Sequence, residues 1–445
     1  MAGAEEHNAF SAAPTESARE LDFFEEASEL ERPAAPKIPV GRTRVLFLNR
    51  SFWPDREATG QFLTELCDDL SADHAVTIVA GPSYHTRKGN LGGFRLWSRE
   101  CRGKITIIRT WGTRFSKSSL AGRLVNLGTY YLLAALVAYR LPRPDIIVAE
   151  TDPPLLGALA AVLKRRWRCR LVYNVRDLYP DIAEVTGGVR SPFLLDLLRR
   201  GNDYAYERAD LIVTLGNDMA RRIVGKGVPT EKVVVVPDWV DCRRICPLES
   251  NPFRRILGNK FVVMYSGNVG LTQQLEGVLE AADRLRDDDR ILFAIVGEGA
   301  RKDWLQEQAR AMGLNNVRFM PYQPLEKLGE SLNAADLHLI PLAPGVAGCL
   351  VPSKIYGILA AGRPFIAMME DNAEVAQIAR DDGVGFVVRP GDIDALVGTI
   401  REAADAPERL KQMGLKARRL AEMRFDRIKI TRTFGAMLAG VATYN

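Results

Sequence analysis

The feature that most constrains this chain is an alternation of short apolar runs with helical segments, carried out twice. The first set of runs is "RVLFLN" (44–49), "AVTIVAG" (75–81), "ITIIRT" (105–110), "DIIVAE" (145–150), "RLVYNVRD" (170–177) and "LIVTLG" (211–216). They are apolar almost throughout, not at alternate positions. That suits strands covered on both faces, and the intervening helices supply the cover, as in a parallel sheet. A stretch rich in Pro and Arg interrupts the pattern at 233–259. It then restarts with "FVVMYSGNVG" (261–270), "ILFAIVGEG" (291–299), "VRFMPY" (317–322), "LHLIPL" (337–342), "PFIAM" (364–368) and "GFVVRPGD" (385–392). The expected fold is α/β, with two doubly wound parallel-sheet halves facing each other across a cleft. The expected division is a disordered acidic tail (1–40), a Rossmann-like domain (41–237), a linker (238–258), a second Rossmann-like domain (259–425) and a C-terminal helix crossing back to the first half (426–445). That last helix reads as one continuous segment from Lys411.

Composition narrows the function classes. A chain of 445 residues with 47% hydrophobic and 26% charged residues has room for two or three globular domains. A net charge of +5 is too small to argue nucleic-acid binding, and the aromatics do not interleave with the basic runs. Six cysteines without a CxxC pair and four scattered histidines support neither a zinc site nor a disulfide framework, so a reducing cytoplasm is expected. Residues 1–39 lack a basic segment leading into an apolar one, so no signal peptide is read there. The most apolar helix, 124–139 between Arg123 and Arg140, is short for a membrane span and reads as buried or interfacial.

In open parallel sheets, ligands bind beyond the carboxyl ends of the strands. That rule selects the loops after each run. "YSGNVGLTQQ" puts Gly267, Asn268 and Gly270 between a strand and a helix, as a phosphate-approach loop or a plain turn. "VGEGARK" offers the backbone of Gly297 and Glu298, with Arg301 and Lys302 as helix-start cations. "VPSKIYGILAAGRP" reads as a helix with Ser353 as N-cap and Gly362 just past its end. It places Lys354 where the helix dipole is already positive, which either lets the lysine reach solvent or requires an anion. Asp177 and Arg176 follow a buried strand, either as a structural pair or with Asp177 serving a hydroxyl acceptor and Arg176 an anionic group. Asp287, Asp288 and Asp289 lie before a strand, at the wrong end of the sheet for a metal site, and read as a solvated turn.

Together "RDLYP", "SGNVG", "VGEG" and "PSKIYGILAAGRP" resemble the retaining nucleotide-sugar glycosyltransferases of family 4, with the GT-B fold. The nearest pattern is that of the enzymes building O-antigen, colanic acid and other exopolysaccharides. The likeness spans about 42–430. It implies a donor site in the second half, with Gly267, Asn268, Gly270, Ser353 and Lys354 around the diphosphate and Gly297, Glu298 and Glu374 toward the nucleotide and sugar. It implies an acceptor side in the first half, with Gly60, Arg176 and Asp177. Lys354 and Asp177 are the expected catalytic residues, with no cofactor and no metal.

The chain also departs from the family pattern. Asn268 and Gln273 stand where many members carry Arg and Lys, and Cys349 and Gly357 stand where many carry two glutamates. Glu374 is the candidate replacement for the ribose-binding glutamate, and Lys354 for the missing cations. The expected donor is a nucleotide sugar, UDP-linked by preference. The expected acceptor is a polyprenyl-diphosphate-linked or other glycan. The apolar helix, Arg114, Lys117, Arg123 and "KRRWRCR" (164–170) suggest peripheral association with the cytoplasmic face of the inner membrane. Two alternatives stand beside this reading: a nucleotide-sugar epimerase, and a catalytically inactive sugar-nucleotide-binding subunit of a polysaccharide assembly complex.

Overall fold

The computed structural model describes residues 42–55, 57–82, 96–113, 115 and 120–443. The acidic tail, Arg114 and Lys117 lie outside the described residues, as does the side chain of Arg123. The first sheet contains β1 (Arg44–Leu48), β2 (Ala75–Ala80), β3 (Trp97–Arg102), β4 (Ile105–Thr110), β5 (Ile146–Ala149), β6 (Arg170–Val175), β7 (Leu211–Thr214) and β8 (Val233–Val235). Its order is β3-β4-β2-β1-β5-β6-β7-β8. The second contains β9 (Phe261–Ser266), β10 (Ile291–Val296), β11 (Val317–Met320), β12 (Leu337–Pro341), β13 (Phe365–Met368) and β14 (Gly385–Val388), in the order β11-β10-β9-β12-β13-β14.

Every pairing is parallel except β3 with β4. Strand order reverses beside β1 in the first sheet and beside β9 in the second, so the ligand crevices open at the carboxyl ends of these strands. The apolar runs are buried accordingly: Val45 to Leu48 and all of β10 are buried.

Three sequence expectations need correction. β3, "WSRECR", was not expected as a strand. It is an antiparallel edge with alternating exposure, so it lacks the continuous apolar run that marks the others. β8 forms from the start of the expected break at 233–259, as a half-buried edge strand. The single C-terminal helix is two, Pro407–Arg424 and Arg427–Thr443. Phe425 leaves helical geometry, and its carbonyl accepts the N–H of Val240, so the chain turns where the linker crosses it. Arg427–Thr443 packs on Ala58–Leu70 in the first half, with Arg427 holding Asp69 at 2.8 Å. Among the described residues no helix is long and apolar enough to cross a membrane.

A candidate active site between the two sheets

A cavity of about 780 Å³ lies between the carboxyl edges of the sheets. Asp177 and Arg176 line it from the first half, and Gly267, Asn268, Glu298, Ser353 and Lys354 from the second. Gly357, at a family glutamate position, also lines it, but a side-chain carbon there would meet Leu332 at 2.9 Å.

The donor wall is built on two interlocked loops. Gly267 (φ +147°) and Gly297 (φ +153°) both use backbone geometry that side chains resist. A side-chain carbon on Gly297 would collide with the Gly267 carbonyl. The Gly267 N–H donates to the Val296 carbonyl (2.9 Å), the Gly297 N–H to Met320 (3.1 Å), and the Val269 N–H to the Glu298 carbonyl (2.8 Å). These bonds hold the loops together and engage the Gly297 N–H and the Glu298 carbonyl within the chain, while Glu298 lines the cavity. The Glu298 carboxylate pairs with Lys302 at 2.7 Å, and Arg301 pairs with Glu276. Gly270 does not open directly into a helix. Its N–H donates to Gln273 Oε1 at 3.2 Å in a short turn, Leu271–Gln273, and the helix starts later, Glu276–Arg284. The Asn268 N–H has no partner among the described residues, and the residue is exposed at the cavity.

Above this loop lies the Lys354 side chain. Its Nζ sits 4.0 Å from the centre of the Tyr265 ring and crowds the space over Gly267. No carboxylate pairs with it among the described residues. Burial alone pushes its pKa down to about 7. The Tyr265 hydroxyl donates to the Asn268 carbonyl at 2.5 Å, so one aromatic residue supports both the loop and the lysine. Ser353 stands at the expected N-cap position but in helical geometry and without a capping bond from its side chain, and it lines the cavity. The helix is Lys354–Ala360, and Gly362 (φ +66°) follows its end.

On the other wall, the backbone N–H groups of Arg176 and Asp177 both donate to Thr151 Oγ1, at 3.2 and 3.1 Å. Arg176 lines the cavity and is paired within the chain. Its Nη2 lies 2.6 Å from both oxygens of buried Asp238, and its guanidinium lies over the Phe62 ring. The Asp177 carboxyl is pushed up to about 6, chiefly by burial, with Arg176 opposing and Asp152 and Asp238 adding to the rise. Gly60 sits inside Ala58–Leu70, packed against Ser51 and Phe52, while its neighbours Thr59 and Gln61 face the cavity. Glu374 does not line the cavity. Its carboxylate accepts from the Asn217 N–H at 2.8 Å. Asp288 pairs with Arg290 in an exposed turn, and no cluster of potential metal ligands occurs among the described residues.

Sequence reasoning passed over Tyr265, Thr151 and Asp238. Tyr265 reads as one more apolar strand residue. Its signal was its place two residues before Gly267, which puts its ring beneath the loop.

Residues 58–239 match the glycosyl transferase 4-like domain, and residues 249–420 match the glycosyl transferases group 1 domain. The chain belongs to family 4 of the glycosyltransferases. It is a nucleotide-sugar glycosyltransferase, and its two facing sheets form the GT-B fold. It is 28% identical over 406 residues to WcaI of Escherichia coli (strain K12), a glycosyl transferase named for colanic acid biosynthesis, covering 88% of this chain and 98% of that one. It is 29% identical over 298 residues to the glycosyltransferase WbjE of Pseudomonas aeruginosa, covering 66% of this chain and 74% of that one. Anabaena Alr3699/HepE, solved in complex with UDP, shares the fold with a TM-score of 0.68 at 16% identity, over 89% of this chain and 100% of that one.

Proposed function

We propose that this family 4 enzyme transfers a sugar, with retention of configuration, from a UDP-sugar to a hydroxyl of a lipid-linked glycan during cell-surface polysaccharide synthesis. The observation that carries the reading is Lys354, a half-buried ammonium without a carboxylate among the described residues, set over Gly267 and lining the cavity that Asp177 lines. A diphosphate there meets Lys354, the Ser353 hydroxyl and the Asn268 N–H. The charge developing on the leaving diphosphate is then balanced by protein groups, without a metal. Asp177 orients the acceptor hydroxyl or takes its proton. UDP is favoured because the Anabaena neighbour binds it, and a surface polysaccharide because the Escherichia coli relative is named for one.

The donor is tested by thermal shift with UDP-, GDP-, ADP- and dTDP-sugars. A ligand at about a hundred times its Kd adds roughly 2.7 kcal/mol to the folded state. A shift with UDP-sugars alone, persisting in EDTA, is expected. A shift with another base, or one abolished by EDTA, overturns that part of the reading.

The lipid-linked acceptor and a cytoplasmic membrane face rest on the helix Leu120–Arg140. Val125, Leu132 and Tyr139 recur every seventh residue and are exposed, Leu132 by 70%. Tyr139 lies against Arg166, with Arg165 and Arg168 exposed nearby. An apolar stripe beside cations suits an anionic bilayer surface. The full chain should float with vesicles containing phosphatidylglycerol, and Leu132→Glu should lower the bound fraction several-fold with the thermal shift unchanged. Equal flotation of the two proteins would remove this surface from the reading.

A further inference from the structure

The two halves are fastened by helices that cap each other. The helix Asn217–Gly225 in the first half has Gly216 at its cap position, which offers no side chain. Its first N–H, from Asn217, donates to Glu374 Oε2 at 2.8 Å, and Asn217 Nδ2 donates to Oε1 at 3.3 Å. The helix Glu374–Asp381 in the second half has Ala373 at its cap position, equally without an acceptor. Its first N–H, from Glu374, donates to Asp218 Oδ2 at 2.9 Å. Each helix thus takes an acceptor for its first N–H from the first turn of the other, while Asp218 Oδ1 also accepts the Met219 N–H of its own helix at 2.7 Å. Gly216 leaves room for this exchange: a side-chain carbon there would come within 3.0 Å of the Asp218, Glu374 and Val351 side chains.

The same carboxylate reaches the donor loop. Asp218 Oδ2 also accepts the Gly348 N–H at 3.1 Å. The next residue, Cys349, is held twice from the first half. Arg222 Nη1 donates to its Sγ at 2.7 Å, and the Leu178 N–H donates to its carbonyl at 2.7 Å. Leu178 adjoins Asp177, and Ser353 and Lys354 follow Cys349 within five residues. A short path of hydrogen bonds therefore joins the two walls of the cavity.

We propose that Asp218 and Glu374 are positioning residues that set the span between Asp177 and Lys354. Cys349, at a position where many family members carry a glutamate, serves here as a tie between the halves. This inference rests on the donor and acceptor walls proposed above. Neither carboxylate lines the cavity: Asp218 acts through the Gly348 N–H, in the segment that leads to Lys354, and Glu374 acts by holding the Asn217–Asp218 turn that carries Asp218.

The test uses the full chain with UDP and UDP-glucose, comparing Glu374→Ala, Glu374→Gln and wild type. Glu374→Ala should bind UDP within about twofold of wild type but release glucose from UDP-glucose at least about tenfold more slowly, at a KM within about threefold. Glu374→Gln still offers an oxygen to Asn217 and should recover most of that rate. A rate in Glu374→Ala equal to wild type, or a loss matched by an equal loss of UDP affinity, overturns the proposal. Hydrogen exchange on wild type provides a readout independent of any variant. The amides of 217, 348 and 374 should be protected and should open together, and separate opening would also overturn it. Failure of wild type to bind UDP would remove the donor reading, while the exchange result still decides whether the fastening exists.

Discussion

Lys354→Met should lose donor turnover and keep, or gain, thermal stability. The fall expected in kcat/KM is about 10² to 10³-fold, the scale for removing one preorganised group from a developing negative charge. The stability sign follows from the site. Burial holds the lysine pKa at about 7 against an ordinary 10.5. Between those values the unfolded chain binds the proton that the folded protein gives up, so this lysine's contribution to stability rises with pH across that interval. Below it, the folded protein carries the cost of a desolvated cation, which methionine removes. A bound diphosphate reverses the balance by favouring the ammonium. Donor affinity should therefore be flat below about pH 7 and fall as pH rises above it, by at most tenfold per unit, as binding takes up a proton. Titration calorimetry in buffers of different ionisation heat reads that uptake directly. If the methionine variant binds the UDP-sugar like wild type, or if wild-type affinity is independent of pH through this range, Lys354 is not the diphosphate lysine.

How far the sequence carried this picture depends on what each feature needed. The two sheets were legible because buried parallel strands are apolar end to end, and β10, "ILFAIV", is nothing else. β3 was not legible: its alternating polarity belongs to an exposed edge whose partner the sequence does not name. Lys354 was legible as an anomaly, a cation at the wrong end of a short helix. The Tyr265 ring beneath it was not, since the contact depends on the turn at Gly267. Arg176 and Glu374 show the same limit in the opposite direction. Each reads as a charged residue after or near a strand end and so invites a ligand. Their partners, Asp238 and Asn217, lie 62 and 157 residues away in the chain and bond to those side chains once the sheets assemble. Gly297 was legible as a loop glycine, but its reason is the backbone of Gly267 packed against it.

Asp177→Asn should separate acceptor chemistry from donor binding. The substitution keeps the shape of the side chain and removes the base, so UDP-sugar affinity should stay within about twofold while turnover falls by about 10² to 10⁴-fold. The thermal shift given by UDP should likewise be unchanged, because Asp177 stands on the wall opposite Lys354. Burial raises the Asp177 pKa from an ordinary 3.8 to about 6, despite the Arg176 cation beside it. The folded protein thus holds a proton that the unfolded chain releases between those values, and this carboxylate's contribution to stability falls as pH rises through them. At pH 8 the asparagine variant, which has no charge to bury, should melt no lower than wild type. In wild type, kcat/KM for the UDP-sugar should fall below about pH 6 as Asp177 takes up a proton, and above about pH 7 as free Lys354 loses one. The resulting optimum is narrow because the two groups answer opposite demands of one desolvated cavity: burial raises the acid and lowers the base toward each other. The residual activity of Asp177→Asn should lack the acidic limb and keep the alkaline one. A variant that retains wild-type turnover, or one whose residual activity still shows the acidic limb, would assign the acceptor's proton to another group on this wall.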